Sequence, residues 1–220
     1  MKKNNVADKE LILLKIKKLM SEANIDATED QFDKLATLVI LLCKWNNALN
    51  LTAIRDPNDM VVLHILDSAV LSPLIKDKGN NIAEEGTGAG FPGLVLAILN
   101  PEIQFTLIDS IAKKLSFVRT AMVSLNLKNV HIINDRCENI EIENKFDCIV
   151  SRAFAPLCKI VEWCKNLISD NGIFIAMKAN LDEKEISEIP SNAQLVENIE
   201  LHVPTLDAKR QAVIIKLQNS

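Results

Sequence analysis

The stretch Glu84-Glu85-Gly86-Thr87-Gly88-Ala89-Gly90-Phe91-Pro92-Gly93 decides how this chain is read. Alternating glycines directly after an acidic pair make a loop that lets the backbone take positive φ and lets a ligand approach closely. Ile82 and Ala83 lead in as a short strand. Pro92 suits the first turn of a helix through Leu94, Val95 and Ile98. Strand, glycine turn and helix start together predict a nucleotide-type cofactor site. Two registers fit. Counted from Gly88, the run reads G-x-G-x-x-G, a dinucleotide fingerprint; counted from Glu84, it reads acid-x-G-x-G-x-G, a second register that uses more of the residues.

Working outward, Gln104 to Asp109 reads as a second strand ending in an acid, where a carboxylate would accept hydrogen bonds from ribose hydroxyls of either cofactor. From Asn81 strands alternate with helices: strands near 82 to 85, 104 to 109, 130 to 134 and 146 to 151, helices near 93 to 99, 111 to 125 and 157 to 168. This pattern predicts an α/β fold with a parallel sheet covered on both faces. A fifth strand over 172 to 177 and an antiparallel pair over 195 to 203 and 212 to 217 complete seven. Upstream, apolar residues at 11, 12, 14, 16 and 19, a capping box opening at Thr28 and a helix over 59 to 71 predict an N-terminal helical cap over 1 to 76. Residues 77 to 220 form the Rossmann-like domain, and the two parts make one compact unit.

With 48% hydrophobic residues, the 220-residue chain can bury one substantial core. Five cysteines, Cys43, Cys137, Cys148, Cys158 and Cys164, lack a C-x-x-C pair and sit mostly among apolar neighbours, which predicts buried thiols and neither metal nor disulfide. The polar N-terminus has no apolar signal region, and no run approaches the roughly 18 to 20 apolar residues that span a bilayer; the expectation is a cytoplasmic protein without membrane contact. A net charge of −4 argues against a strongly basic nucleic-acid binder, so RNA contact would need a local patch. Lys2-Lys3, Lys15 with Lys17-Lys18, Lys113-Lys114 with Arg119, and Lys209-Arg210 are candidates, each more often a solvated face.

Four further segments narrow the reading. Lys44-Trp45-Asn46-Asn47-Ala48-Leu49-Asn50-Leu51-Thr52, His64-Ile65-Leu66-Asp67-Ser68, Gly86 to Gly93, and Ser151-Arg152-Ala153-Phe154-Ala155-Pro156 stand in the order and spacing of one family. The chain resembles the bacterial small-subunit ribosomal RNA guanine-N7 methyltransferases, also called glucose-inhibited division protein B, over nearly its whole length, Met177-Lys178 included. The resemblance implies a class I S-adenosylmethionine-dependent methyltransferase fold. It implies methyl transfer to N7 of the guanine numbered 527, in the 530 loop of 16S rRNA within the 30S subunit, by a monomer without a metal. Position by position, it implies that Gly86, Gly88 and Phe91 form the cofactor loop, Asp109 meets the ribose, Cys137 and Glu138 stand on the adenine side, and Arg152 walls the site. Arg152, Asn50 and His64 are the candidates for catalytic roles. Two positions depart from the family: a second acid, Glu85, stands where an apolar residue is usual, and Leu63 stands where an arginine often precedes the histidine.

Guanine N7 carries a lone pair and no proton, so its methylation needs alignment and an electrostatic field but no general base. His64, Asp67 and Ser68, at i, i+3 and i+4, would lie side by side on one helix face, unlike a hydrolase relay. They read as a polar network joining cap to cofactor domain, as RNA contacts, or as a structural histidine with its neighbours. Asn50 and Thr52 either shape a turn or line the entrance for the target base. Trp45 and Trp163 read as core anchors more readily than as stacking platforms. Arg152 follows an apolar strand at the carboxyl end, where sheet ligands bind. Three rival functions stay open at this level: a nicotinamide oxidoreductase using the Gly88 register, a non-catalytic RNA-binding assembly factor, and a methyltransferase of another RNA, a protein or a small molecule.

Overall fold

The computed structural model describes residues 8–152 and 155–218. Lys2-Lys3 and the Ala153-Phe154 part of the Ser151 motif lie outside them. The cap begins with α1 (Lys9–Glu22), whose first amides are satisfied by the Asp8 carboxylate, and α2 (Glu29–Leu49), opened by the Thr28–Gln31 capping box. The Gln31 side chain also donates to the carbonyls of Ile98 and Leu99, tying the cap to the sheet domain. Asn50 closes α2 at φ 50°, a left-handed conformation that asparagine tolerates.

The next helical run starts at Asp56, which caps Asn58, and comprises α3 (Pro57–Met60), a π-helical turn (Val61–Leu66), α4 (Asp67–Ala69) and α5 (Ser72–Ile75). The sequence predicts one α-helix over 59 to 71; the π turn within it is a difference. A π turn inserts one extra residue and turns the following side chains, and such turns often mark functional sites. Contrary to the sequence expectation, Pro57–Ile75 is long and apolar enough to cross a membrane, by length and composition alone. Most of it is buried within the protein, as in a core helix.

The sheet follows as β1 (Asn81–Glu85), α6 (Gly93–Leu99), β2 (Gln104–Ile108), α7 (Ala112–Ser124), β3 (Val130–Ile133), a 3₁₀ turn (Cys137–Asn139), β4 (Phe146–Arg152), α8 (Leu157–Cys164), β5 (Ile168–Lys178), α9 (Glu183–Ser187), β6 (Ala193–Glu200) and β7 (Gln211–Leu217). Strand order is β3-β2-β1-β4-β5-β7-β6, with β7 antiparallel to β5 and β6. The helix predicted over 157 to 168 ends at Cys164, because Ile168 is drawn into β5 opposite Phe146. Order reverses at β1, with β2 on one side and β4 on the other, so Glu85 aligns with both Ile108 and Ser151. The crevice outside these carboxyl ends is where open α/β sheets bind ligands. One apolar core runs unbroken from Ile12 and Leu42 of the cap through Leu94 and Phe117 to Ala212 of the sheet; a second, under α8, packs Ile149, Ile160 and Phe174 on the opposite face.

Candidate functional site

The glycine loop is held from beneath by Glu84. Its buried Oε2 accepts from the Thr87 hydroxyl and, at 2.9 Å, from the Gly93 amide, stitching the strand end to the start of α6. Burial pushes the Glu84 carboxyl up to about 8, against the opposing effects of Thr87, Arg152 and the Gly93 amide. Gly86, Gly88 and Gly90 all have left-handed φ, 65°, 59° and 85°. They are not equivalent. A Cβ on Gly90 would run into Leu94, and one on Gly93 into Leu107 and Glu84, whereas one on Gly88 would meet only the Gly86 carbonyl oxygen at 3.9 Å. Gly88 therefore faces open space that none of the described residues fills. Pro92 stands just ahead of α6, after a cis Phe91-Pro92 bond.

That open space belongs to the larger of two cavities that share Gly86. The smaller, about 250 Å³, is walled by Glu85, Gly86, Asp109, Arg136, Glu138 and Trp163. Asp109 directly follows β2, with both carboxylate oxygens in use: Oδ2 accepts from the Gly88 amide and Oδ1 from the Ile111 amide, each at 2.8 Å. An ionised carboxylate has about four acceptor positions, so two remain for a ligand's hydroxyls. Glu138 faces this cavity, but the side chain of its neighbour Cys137 turns inward and is buried against Glu85. The second acid of the motif is thus housed behind the loop, with the Cys164 sulfur 3.7 Å away. Burial pushes the Glu85 carboxyl up to about 7; Cys164 counters this, while Glu138 and Asp109 add to it.

The larger cavity, about 430 Å³, is bounded by the loop residues Gly86 to Ala89 and Phe91, by Leu51, Thr52, Leu63, His64 and Asp67 of the cap, and by Arg152, Lys178 and Arg210 of the sheet. Asp67 is its hub. Buried in the cap, it receives Arg152 on Oδ2 at 3.1 Å and Arg210 on Oδ1 at 2.6 Å, so one carboxylate holds the end of β4 and the residue just ahead of β7. Arg152 also donates to the Leu63 carbonyl, its guanidinium stands 5.9 Å from the Phe91 ring centre, and Phe91 stacks on His64 at 4.8 Å. His64 Nε2 lies 3.0 Å from the Thr52 hydroxyl, while its buried Nδ1 has no partner among the described residues. Burial, with Arg152 adding, lowers the His64 pKa to about 4. The Ser68 hydroxyl donates to the His64 carbonyl, so no acid-histidine-nucleophile relay exists here.

Asn50, the third catalytic candidate, points its amide oxygen at Arg55 at 2.8 Å and shapes the turn after α2; it is not among the cavity walls. Trp45 meets Phe117 edge-on at 6.1 Å, and Trp163 borders the smaller cavity. Among the cavity residues not expected as site residues are two cations, Lys178 and Arg210. Lys178, held by Glu185 at 2.6 Å and the Ala155 carbonyl at 2.8 Å, stood in the sequence only as part of a motif. Arg210 stood only as part of a surface patch. Its signal was topological: a strand returning antiparallel brings its amino end to the carboxyl edge of the sheet, beside the ligand crevice.

A family profile described as GidB, rRNA small subunit methyltransferase G, matches residues 31–214. The ribosomal RNA small subunit methyltransferase G of Psychromonas ingrahamii is 45% identical over 205 residues, 93% of this chain and 98% of that protein. The protein of the same name from Klebsiella pneumoniae is 44% identical over 209 residues, 95% of this chain and all of that protein. Among solved structures, coclaurine N-methyltransferase bound to N-methylheliamine and SAH aligns with TM-score 0.54 at 13% identity, covering 88% of this chain and 74% of that one. An S-adenosylmethionine-dependent methyltransferase from Clostridium acetobutylicum aligns with TM-score 0.53 at 13% identity, covering 70% and 92%. At such identities the structural likeness establishes the fold, a class I methyltransferase sheet.

Proposed function

Because the chain belongs to the GidB, or rRNA small subunit methyltransferase G, family, we propose that it uses S-adenosylmethionine to methylate N7 of the guanine numbered 527 in 16S rRNA, presented by the small ribosomal subunit in the cytoplasm. The observation that carries this reading is that Gly86 walls both cavities, so a ligand whose adenosine lies beside Asp109 can pass the glycine loop and present its other end beneath Asp67, Arg152 and Arg210. The residues fit such a ligand: free acceptor positions on Asp109, open space over Gly88, and an unpartnered His64 Nδ1 at the larger cavity. When bound, S-adenosylmethionine supplies a sulfonium methyl group, and the N7–methyl bond forms as the sulfur–methyl bond breaks.

The chain's own residues then position and enclose. Asp109 anchors the ribose hydroxyls, and its bond to the Gly88 amide holds the loop in the shape the ligand needs. Glu138, and the backbone beside Cys137, line the adenine end. Phe91 and His64 stack into one wall of the larger cavity, and Arg152 is held at that wall by Asp67. Since N7 has no proton to lose, no side chain must act as base, and neutral His64 serves as a wall and hydrogen-bonding group. Arg210, Lys178 and exposed Lys209 give the mouth a local positive character for RNA phosphates, which the overall charge of −4 does not provide.

Transfer of labelled methyl to 30S subunits purified from cells lacking the modification tests the proposal. Borohydride reduction and aniline treatment should then cleave 16S rRNA at a single guanine of the 530 loop. Methyl incorporation without that cleavage would move the acceptor to another atom or base, and no incorporation by a protein that binds S-adenosylmethionine would overturn the substrate.

A further inference from the structure

Behind the adenine wall, Glu85 at the end of β1, Cys137 in the 3₁₀ turn and Cys164 at the last residue of α8 bring one carboxylate oxygen and two sulfurs within 4.8 Å of one another. All three side chains are buried, with Cys164 fully inaccessible. Three elements far apart in sequence converge here, and the function proposed above gives none of these side-chain groups a role. We propose that Glu85, Cys137 and Cys164 form a binding site for a thiophilic divalent cation of the zinc type.

Several observations point the same way. Zinc–sulfur and zinc–oxygen bonds of about 2.3 and 2.0 Å place the ligand atoms of a tetrahedral site roughly 3.5 to 3.8 Å apart. The Cys164 sulfur and Glu85 Oε2 are 3.7 Å apart, within that range, whereas the Cys137 sulfur lies closer to the same oxygen than the range allows and would have to move outward on binding. Charge supplies a second reason. The charged groups acting on Glu85 are Glu138 and Asp109, both acidic, and among the described residues no ion pair includes Glu85. A buried carboxylate is ordinarily neutralised, paired or bound to a metal; with only thiol donors on Glu85, a bound cation would supply the counter-charge that lets it ionise. The donor set selects the ion: two thiolates with one carboxylate suit zinc, cadmium or cobalt, whereas magnesium and calcium require oxygen cages. Entry is available because Glu85 and Glu138 both line the smaller cavity, and Glu138 or water can complete the coordination. Occupancy would clip β1, the 3₁₀ turn and α8 together. The sequence expectation of inert thiols considered each cysteine alone, and the carboxylate that joins two of them is the Glu85 departure itself.

Cobalt(II) added to the reduced, metal-stripped full-length protein is the test. A thiolate-to-cobalt charge-transfer band with tetrahedral visible bands should appear, saturate at one equivalent and vanish when zinc is added. Cys137→Ser and Cys164→Ser should each lose the band, while Cys158→Ser keeps it. Should either serine variant fold poorly by circular dichroism, mass mapping of wild type alkylated in mild denaturant, where transient opening exposes buried thiols, decides: zinc should slow modification of Cys137 and Cys164 but not of Cys158. Because these readouts need neither S-adenosylmethionine nor RNA, failure here is separable from failure of the methyltransferase reading. A reduced protein without the band, a band that survives loss of both cysteines, or alkylation that zinc leaves unchanged would each overturn the site.

Discussion

Replacing Gly88 by alanine separates the ligand's claim on the loop from the fold's claim. At φ 59° an added Cβ has only the Gly86 carbonyl oxygen near it, at 3.9 Å, so no packing is lost. The cost to the fold is the left-handed backbone alone, about 1 to 2 kcal/mol for a residue with a side chain. For a chain of this length, at about 2 to 4 °C per kcal/mol, the melting temperature should fall by roughly 2 to 8 °C. Cofactor affinity should suffer more, because the methyl projects into the space the ligand needs; a loss of about tenfold or greater, near 1.4 kcal/mol, is expected. Gly88→Val should abolish binding. Gly93→Ala should behave in the opposite sense: its Cβ collides with Leu107 and displaces the Glu84 carboxylate that holds α6, so stability collapses before binding can be measured. Calorimetric titration with S-adenosylmethionine alongside thermal melts reads both quantities. A folded Gly88→Ala protein with wild-type affinity, or one less stable than Gly93→Ala, would refute this division of labour among the glycines.

Asp109→Asn keeps the side chain's shape but replaces one acceptor oxygen with a donor, and should weaken cofactor binding by about 1 to 3 kcal/mol; equal affinity by calorimetry would remove Asp109 from the site. Arg152→Ala should leave a folded protein, because Asp67 keeps Arg210 at 2.6 Å, yet slow single-turnover methyl transfer by roughly 10²-fold, the scale for losing one preorganised charged donor; an unchanged rate would reduce Arg152 to a structural tie. His64, stacked on Phe91 and facing Arg152, Thr52 and Asp67, has its pKa lowered to about 4, so the unfolded chain takes up its proton first as pH falls. Its contribution is intact above pH 6.5 and disappears as pH drops towards 4, on the order of 3 kcal/mol in all. Denaturant melts of wild type against His64→Gln should therefore converge towards acid, and a constant gap between them would contradict the burial argument. Finally, the rate of the chemical step should show no essential general-base ionisation between about pH 6 and 9, and a log-linear rise through neutrality would indicate an acceptor that must first be deprotonated.

What the sequence made legible was local. Short apolar runs alternating with helical segments located all seven strands to within a few residues, and the Thr28–Gln31 pattern located the cap of α2, because those signals lie within a few positions of one another. What stayed hidden depended on distance along the chain. Asp67 and Arg210 are 143 residues apart, so nothing near either one announced the pair. The π turn in Val61–Leu66 reflects how a buried helix fits its neighbours and leaves no mark in apolar periodicity. Cys137 could be assigned to the adenine side by pattern, but only the packing of the 3₁₀ turn against β1 and α8 shows its sulfur turned away from the cavity. Glu85 stood out as an anomaly without revealing its surroundings, for burial is a property of the assembled sheet.

The single carboxylate of Asp67, gripped by Arg152 at the end of β4 and by Arg210 just ahead of β7, restricts the route by which a substrate can arrive. Swinging the cap aside would strip a buried anion of both partners, at a cost of several kcal/mol for each separated charge, and would split the continuous core that runs beneath it. Delivery by opening like a jaw is therefore disfavoured, and the acceptor must come in through the mouth that already exists. A base stacked inside a duplex cannot do so; one splayed out of a loop, presenting a single edge, can. The rigidity of the junction thus selects for exposed nucleotides before any base-specific contact is made, and discrimination begins with the shape of the RNA.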